Sequence, residues 1–183
     1  MSRNSKIWDQ DKFYFLSFAT VNWIDALTKP IYKDIIVESL KYCIENKGLE
    51  VSAWCIMSNH IHLIIDSEQQ KIEDIIRDLK RHTSKAILKA ILKNPQESRS
   101  DYWVMWMFER AGQRNSNNQN YQFWQQNNQP IILDSNFKMD QKLDYLHKNP
   151  VLEGYVLELE HYIYISAVDY TGVRGMIPIT FIQ

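Results

Sequence analysis

The sequence has little cysteine, no long apolar run and almost no net charge, and each shortage excludes a class of protein. Its two cysteines, Cys43 and Cys55, lack metal-type spacing and lie in segments predicted as helix and strand, so they predict buried thiols. No apolar stretch approaches the roughly 20 residues that cross a bilayer, and no signal peptide is visible at the start. We therefore expect one domain over residues 1–183 in a reducing cytoplasm, without a membrane partner.

Charge is uneven along the chain although the net value is only −1. Residues 71–93 hold seven bases and three acids, a net +4, whereas residues 150–183 hold one base and four acids, a net −3. Five bases recur at four-residue steps, which places them on one side of a helix; this basic stripe is Arg77, Arg81, Lys85, Lys89 and Lys93. Such a stripe predicts phosphate contacts with DNA, while the alternative is an ordinary solvated helix face.

The order of predicted elements is typical of an α+β, ferredoxin-like split βαβ domain with an antiparallel sheet. Apolar patterning predicts strands at 13–21, 49–57 and 60–66 and helices at 30–45 and 71–93, with Gly48 as a C-cap. A last strand is expected near 129–133 and a short helix at 139–149, stopped by Pro150. Segments 162–170 and 176–182 give weaker signals. The helices should cover one face of the sheet and leave the other open.

An insertion at about 94–129 interrupts this pattern. Its first part, residues 102–108, is apolar, but twelve of the seventeen residues in 113–129 are Asn or Gln. That composition predicts a loop that builds no core. Within it, the aromatic residues at 121–124 could stack on unpaired bases, although core packing is at least as strong an interpretation for Trp124.

Two histidines alternate with apolar residues in the third predicted strand. Strand side chains alternate between faces, so His60 and His62 point the same way, opposite to Ile61, Leu63 and Ile65. Neutral imidazole is a common ligand of divalent metals, and two imidazoles on one face can chelate one ion. The alternative is two partly exposed histidines on a polar face.

A tyrosine and an asparagine lie one turn apart near the end of the last predicted helix. Tyr145 and Asn149 share a helix face because they are four residues apart, whereas His147 points elsewhere and is interpreted as structural or surface. An amide oxygen suits Mg²⁺ or Mn²⁺, and a phenol can attack a phosphodiester. Since the chain has ten tyrosines, an ordinary core or surface role is the alternative for Tyr145.

Four motifs in this order resemble the HUH single-tyrosine transposases, in particular the REP-associated tyrosine transposase branch. They are Trp-Cys-Ile-Met-Ser-Asn-His-Ile-His-Leu-Ile-Ile at 54–65, Arg-Asp-Leu-Lys-Arg-His-Thr-Ser at 77–84, Phe-Trp-Gln at 123–125 and Tyr-Leu-His-Lys-Asn-Pro-Val at 145–151. The block at 162–170 is also similar to the family's C-terminal part, so the resemblance spans roughly residues 12–182.

The resemblance implies a metal-dependent endonuclease and strand transferase that acts on single-stranded DNA, beside hairpins, through a 5′-phosphotyrosine. It implies Tyr145 as the nucleophile and His60, His62 and Asn149 as ligands of Mg²⁺ or Mn²⁺. Insertion-element members often carry Gln at the position of Asn149. The resemblance also implies association with the nucleoid, and either a homodimer, as in insertion-element members, or a monomer.

Two other functions remain open from the residues alone. A non-catalytic single-stranded nucleic-acid-binding module on the same fold would bind without metal and form no covalent adduct. A metallohydrolase would use water as the nucleophile, but the two motifs contain no carboxylate that is an obvious general base.

Overall fold

The computed structural model describes residues 12–69, 71–94, 101–115, 120–126 and 130–181, the side chains of residues 101 and 102 excepted. The described strands are β1 Tyr14–Ala19, β2 Leu49–Ile56, β3 His60–Ser67 and β4 Ile131–Ile132. The helices are α1 Pro30–Lys47, α2 Ile72–Lys93, α3 Asp101–Gln113 and α4 Asn136–Leu152. None of the described helices is long and apolar enough to cross a membrane.

The four strands form one antiparallel sheet in the order β2-β3-β1-β4, which confirms the α+β, ferredoxin-like prediction. β1 and β3 lie at its centre, with Ser17 opposite His62 and Phe18 opposite Ile61. α1 ends at Gly48, whose φ of +69° is the left-handed conformation predicted for its C-cap.

Each face of the sheet has its own cover. Phe18 shares a face with Ile61 and carries the ammonium of Lys80 from α2 over its ring, so α2 lies on that face. The other face carries His60 and His62, and α4 packs on it through Asn149 and Tyr145. The expectation of an open second face is therefore wrong: His60 is only 8% exposed and His62 only 4%.

The prediction for α4 is also wrong at its end. Ser135 caps the helix by accepting a hydrogen bond from the backbone N–H of Lys138, and the helix continues through Pro150 to Leu152. Proline lacks a backbone N–H donor. Near the end of a helix, it therefore removes one hydrogen bond but does not end the helix.

Part of the Asn/Gln-rich insertion contributes to the core. The prediction of a loop that builds no core is therefore wrong, whereas the core-packing interpretation of Trp124 is confirmed. Phe123 and Trp124 are buried; the Trp124 indole packs against the Phe18 ring and donates to Thr83 on α2. The apolar stretch before them forms α3, which the sequence reasoning missed. Residues 95–100, 116–119 and 127–129 of this insertion lie outside the described residues.

The C-terminal segment follows the outer edge of β2 without forming a strand. The backbone N–H of Ile56 donates to Tyr164, that of Ser166 to Trp54 and that of Thr180 to Val51. These bonds satisfy edge groups of β2 that would otherwise face solvent.

Candidate active site

The predicted metal ligands and the predicted nucleophile, which come from β3 and α4, meet on one face of the sheet. His60 Nε2 lies 3.2 Å from Asn149 Oδ1. The ring centroids of His60 and His62 are 4.7 Å apart, and those of His62 and Tyr145 are 5.3 Å apart. The four residues therefore form a contiguous cluster, although 83 residues separate His62 from Tyr145 in sequence.

Burial keeps both imidazoles neutral. It lowers the pKa of His62 to about 3, and the charges of His60 and Lys142 act in the same direction. Burial also lowers the pKa of His60, against smaller opposite effects of the hydrogen bond that its protonated form would donate to Asn149 and of the carboxylates of Glu153 and Asp25. A neutral imidazole has a free lone pair, which is the form that binds metals.

His62 is the unusual member of the cluster. Both its ring nitrogens are buried and find no hydrogen-bond partner among the described residues. The ring stacks on Phe15 at 5.4 Å between centroids. An orphaned buried nitrogen is costly, and a cation bound beside it would remove that cost.

The donor set of the cluster is two imidazoles and one amide oxygen. Within the described residues no group of three or more His, Cys, Asp or Glu side chains is arranged to hold a metal. Asn149 therefore decides whether the site has two protein ligands or three. Its amide is 5% exposed and already faces His60, so these residues fit a divalent cation that accepts nitrogen and oxygen ligands.

The nucleophile candidate differs from the ligands in its exposure. Tyr145 is 44% exposed while its ring also contacts Phe15 edge-on at 6.0 Å. The side chain is thus held on one side and open on the other, which leaves its hydroxyl accessible to a substrate from solvent.

Four residues near the cluster were missed by the sequence reasoning. Trp23 lies 5.8 Å from His60 between ring centroids, is 58% exposed and has a φ of +54°. The ammonium of Lys142 lies 5.6 Å from the Tyr145 ring centroid. Asp25 and Glu153 line a cleft of about 360 Å³ beside His60. Only Lys142 had a usable signal, because it precedes Tyr145 by three residues on the same helix.

His147 and the basic stripe lie outside the cluster. His147 is buried and its Nε2 contacts the Ser166 hydroxyl at 2.9 Å, so it ties α4 to the C-terminal segment. The basic stripe is exposed on α2, on the opposite side of the sheet from His60 and His62. Arg77 and Arg81 also pair with acids of their own helix, Asp74 and Asp78. The structure therefore does not bring the stripe to the cluster.

The ferredoxin-like sheet thus brings two histidines, an amide and an exposed tyrosine together on one face. The family model described as "Transposase IS200 like" matches residues 14–111, more than half of the chain. The chain belongs to the IS200-like transposase family and is a transposase. The matched segment contains His60 and His62 but ends before Tyr145 and Asn149.

A solved structure shares this fold. A REP-associated tyrosine transposase, solved bound to a REP hairpin, is 17% identical and superposes with a TM-score of 0.67 over 100% of this chain and 92% of that one. At this identity the likeness shows a shared fold. A transposase candidate from Deinococcus radiodurans R1 is 19% identical over 79% of this chain and 95% of that one, with a TM-score of only 0.44. No curated protein matches the chain.

Proposed function

We propose that this transposase is of the HUH single-tyrosine type: a metal-dependent enzyme that nicks single-stranded DNA beside hairpins and rejoins it through a 5′-phosphotyrosine. The observation that carries the proposal is the neutral, buried His62, whose nitrogens lack partners among the described residues while its ring touches both His60 and the exposed Tyr145. Family membership supports the same reaction.

His60, His62 and Asn149 would hold Mg²⁺ or Mn²⁺. A divalent cation at this position would polarise the scissile phosphate and offset charge that develops on its oxygens. Two neutral nitrogens and one neutral oxygen leave the ion its full positive charge, which favours an anionic substrate.

Tyr145 would carry the covalent step. Its Oη forms a bond to phosphorus as the bond from phosphorus to the 3′ oxygen breaks. The phenol loses its proton to solvent, which the 44% exposure of Tyr145 permits. The leaving 3′ oxygen takes up a proton and becomes a hydroxyl. Attack by a 3′ hydroxyl on the phosphotyrosine reverses every bond change and joins the strands.

Two features support an unpaired strand beside a hairpin as the substrate. The exposed rings of Trp23 and Tyr145 flank the cluster, and unpaired bases stack on such rings with little regard for sequence. The structurally similar REP-associated transposase was solved bound to a REP hairpin. Whether the protein acts as a monomer or as a homodimer belongs to the same proposal, since a partner could supply a second copy of α4.

The test is a covalent adduct. Wild-type protein is incubated with Mn²⁺ and single-stranded oligonucleotides from the inverted repeats that flank its own coding region. The oligonucleotides are labelled at the 3′ end, which stays on the protein after cleavage, and the products are denatured on a gel. We expect a labelled protein band that Tyr145→Phe abolishes. Tyr121→Phe is the matched control, because Tyr121 is similarly exposed at 42%. Equal adduct from wild type and Tyr145→Phe would show that the nucleophile is another residue.

The same gel distinguishes strand transfer from two other functions, hydrolysis and binding without cleavage. Glu153 lines the cleft beside His60, where a carboxylate could activate water. Metal-dependent cleavage without any trapped protein would favour hydrolysis over strand transfer. Binding that survives a chelator, with neither cleavage nor adduct, would leave only a binding module.

A further inference from the structure

The ring nitrogen of His60 that does not face the cluster is held by a chain of side chains. His60 Nδ1 lies 2.7 Å from Asn59 Oδ1. The amide nitrogen of Asn59 faces two acceptors, the Asp25 carboxylate at 3.0 Å and the Trp23 carbonyl at 3.5 Å. An amide has one donating end and one accepting end. Because both outward partners accept, the Asn59 oxygen must face His60.

This orientation decides which nitrogen of His60 carries the hydrogen. An amide oxygen only accepts, so Nδ1 donates, and in a neutral imidazole Nε2 is then an acceptor. Nε2 faces Asn149 Oδ1 at 3.2 Å. Two lone pairs that face each other across this distance repel, unless the Asn149 amide flips to donate or a cation lies between them. The free lone pair is therefore presented to the proposed metal position.

Asp25 is itself anchored, so the chain has a fixed end. The Ser58 hydroxyl donates to Asp25, and the Tyr155 hydroxyl donates to Ser58 at 2.7 Å. Backbone bonds join the same two segments: Thr20 N–H donates to Asn59 at 2.8 Å, and Leu27 N–H donates to Ser58 at 2.7 Å. These bonds thus hold the loop that carries Asp25 and the turn that carries Asn59 together.

We propose that Asn59, oriented by Asp25, is a positioning residue that holds His60 with hydrogen on Nδ1 and leaves Nε2 free to bind a divalent cation. Neither residue needs to touch the DNA. Partners of this kind orient metal-binding histidines in many proteins, and their loss typically weakens metal affinity 10- to 100-fold. The inference rests on the proposed function for the identity of the ligand, but not for the hydrogen position.

The first measurement is made without metal. Long-range proton–nitrogen NMR correlations of the histidine rings in chelator-treated protein report which nitrogen is protonated. We expect hydrogen on Nδ1 of His60 in the wild type and a mixture of the two forms in Asn59→Ala and in Asp25→Ala. Asp25→Asn retains an acceptor oxygen toward Asn59 and should retain the wild-type form. Hydrogen on Nε2 in the wild type would overturn the proposal.

The second measurement is calorimetric titration with Mn²⁺ of variants whose circular dichroism matches the wild type. Asn59→Ala is expected to bind Mn²⁺ roughly 10- to 100-fold more weakly than the wild type. If Asn59→Ala does not fold, Asp25→Ala is measured in its place. Asn46→Ala is the control, since Asn46 is exposed and donates to the Tyr42 carbonyl of its own helix, α1. This variant should bind Mn²⁺ as the wild type does. Wild-type affinity in folded Asn59→Ala would contradict the proposal. If the wild type binds no Mn²⁺, the proposed metal function fails, and the NMR result still decides the role of Asn59.

Discussion

The side chain of Lys142 places a positive charge beside Tyr145, the candidate nucleophile. Its ammonium lies 5.6 Å from the Tyr145 ring centroid and 5.0 Å from that of Phe15, and it helps to lower the pKa of His62. A cation this close stabilises the negative charge that develops on the reacting oxygens during attack. With solvent screening of a half-buried group, the benefit is about 1 kcal/mol.

We expect Lys142→Gln to slow adduct formation by roughly 5- to 10-fold, the rate equivalent of about 1 kcal/mol. The measurement is the initial rate of adduct formation at saturating oligonucleotide, so that a change in DNA affinity does not contribute. Lys148→Gln is the matched control, because Lys148 lies on the same helix but pairs with Asp144 at 2.6 Å. Equal rates for Lys142→Gln and the wild type would exclude a role for this charge.

The residues of the candidate site were predictable to different degrees, for a physical reason. His60 and His62 follow from the two-residue period of a strand, and Tyr145 and Asn149 from the four-residue step of a helix. That these pairs meet was a hypothesis, because no local period connects β3 to α4. Asp25 and Trp23 lie on a loop whose position is fixed by hydrogen bonds to the turn at Ser58 and Asn59, and loops have no such period.

The basic stripe on α2 lies away from the cluster that contains Tyr145. α2 packs on the face of the sheet opposite the cluster, so the stripe cannot contact the phosphate next to Tyr145. Arg77 and Arg81 are partly neutralised by Asp74 and Asp78. Lys85 and Lys89 form no ion pair within the described part of the chain, so they are the members best placed to bind DNA that passes around the sheet.

We therefore expect Lys85→Glu/Lys89→Glu to leave cleavage of a short oligonucleotide unchanged but to weaken binding of long hairpin DNA. Each lost phosphate contact should reduce the slope of log affinity against log salt by about 0.7 to 0.9. Lys41→Glu/Arg174→Glu makes the same change in net charge elsewhere and is the control. Equal salt slopes for the two double variants would show that the stripe is an ordinary solvated helix face.

The elements that the sequence reasoning missed share one cause: tertiary contacts outweighed local composition. Val104, Met105 and Phe108 are the buried side of α3 and have helical spacing, yet the polar residues after them favoured a loop. Phe123 and Trp124 are buried despite their Asn- and Gln-rich surroundings, because the end of β1 and α2 offer them an apolar surface. By contrast, β1, α1, β2, β3 and α2 were predicted within two residues at each end, since their apolar periods are strong.

His60, His62 and His147 are buried, and burial lowers the pKa of each. His147 is lowered to about 4 and His62 to about 3, while His60 is lowered by the same cause. His147 links α4 to the edge of β2 through Ser166, and the other two lie beneath α4. Protonation of these residues therefore acts on the contact between α4 and the sheet.

We expect the metal-free protein to lose stability on acidification at pH values well above the pKa of its carboxylates. In the unfolded chain each histidine binds a proton near pH 6.5, whereas His147 and His62 in the folded chain do so only near pH 4 and pH 3. Above pH 6.5 both states are neutral and this difference contributes nothing. Below pH 6.5 the unfolded state gains protons first, so the free energy of unfolding falls as pH falls, by about 2 kcal/mol per histidine at pH 5.

The prediction is checked by urea unfolding in the presence of a chelator at pH 7.5, 6.0 and 5.0. We expect the free energy of unfolding to drop most between pH 6.0 and 5.0. His147→Gln, although less stable at every pH, should lose less on acidification, by about 2 kcal/mol at pH 5, because one proton-binding site is gone. His161→Gln is the control, since it makes the same substitution at an exposed histidine. Equal unfolding free energies at pH 7.5 and pH 5.0 would mean that the histidines are not held neutral beneath α4.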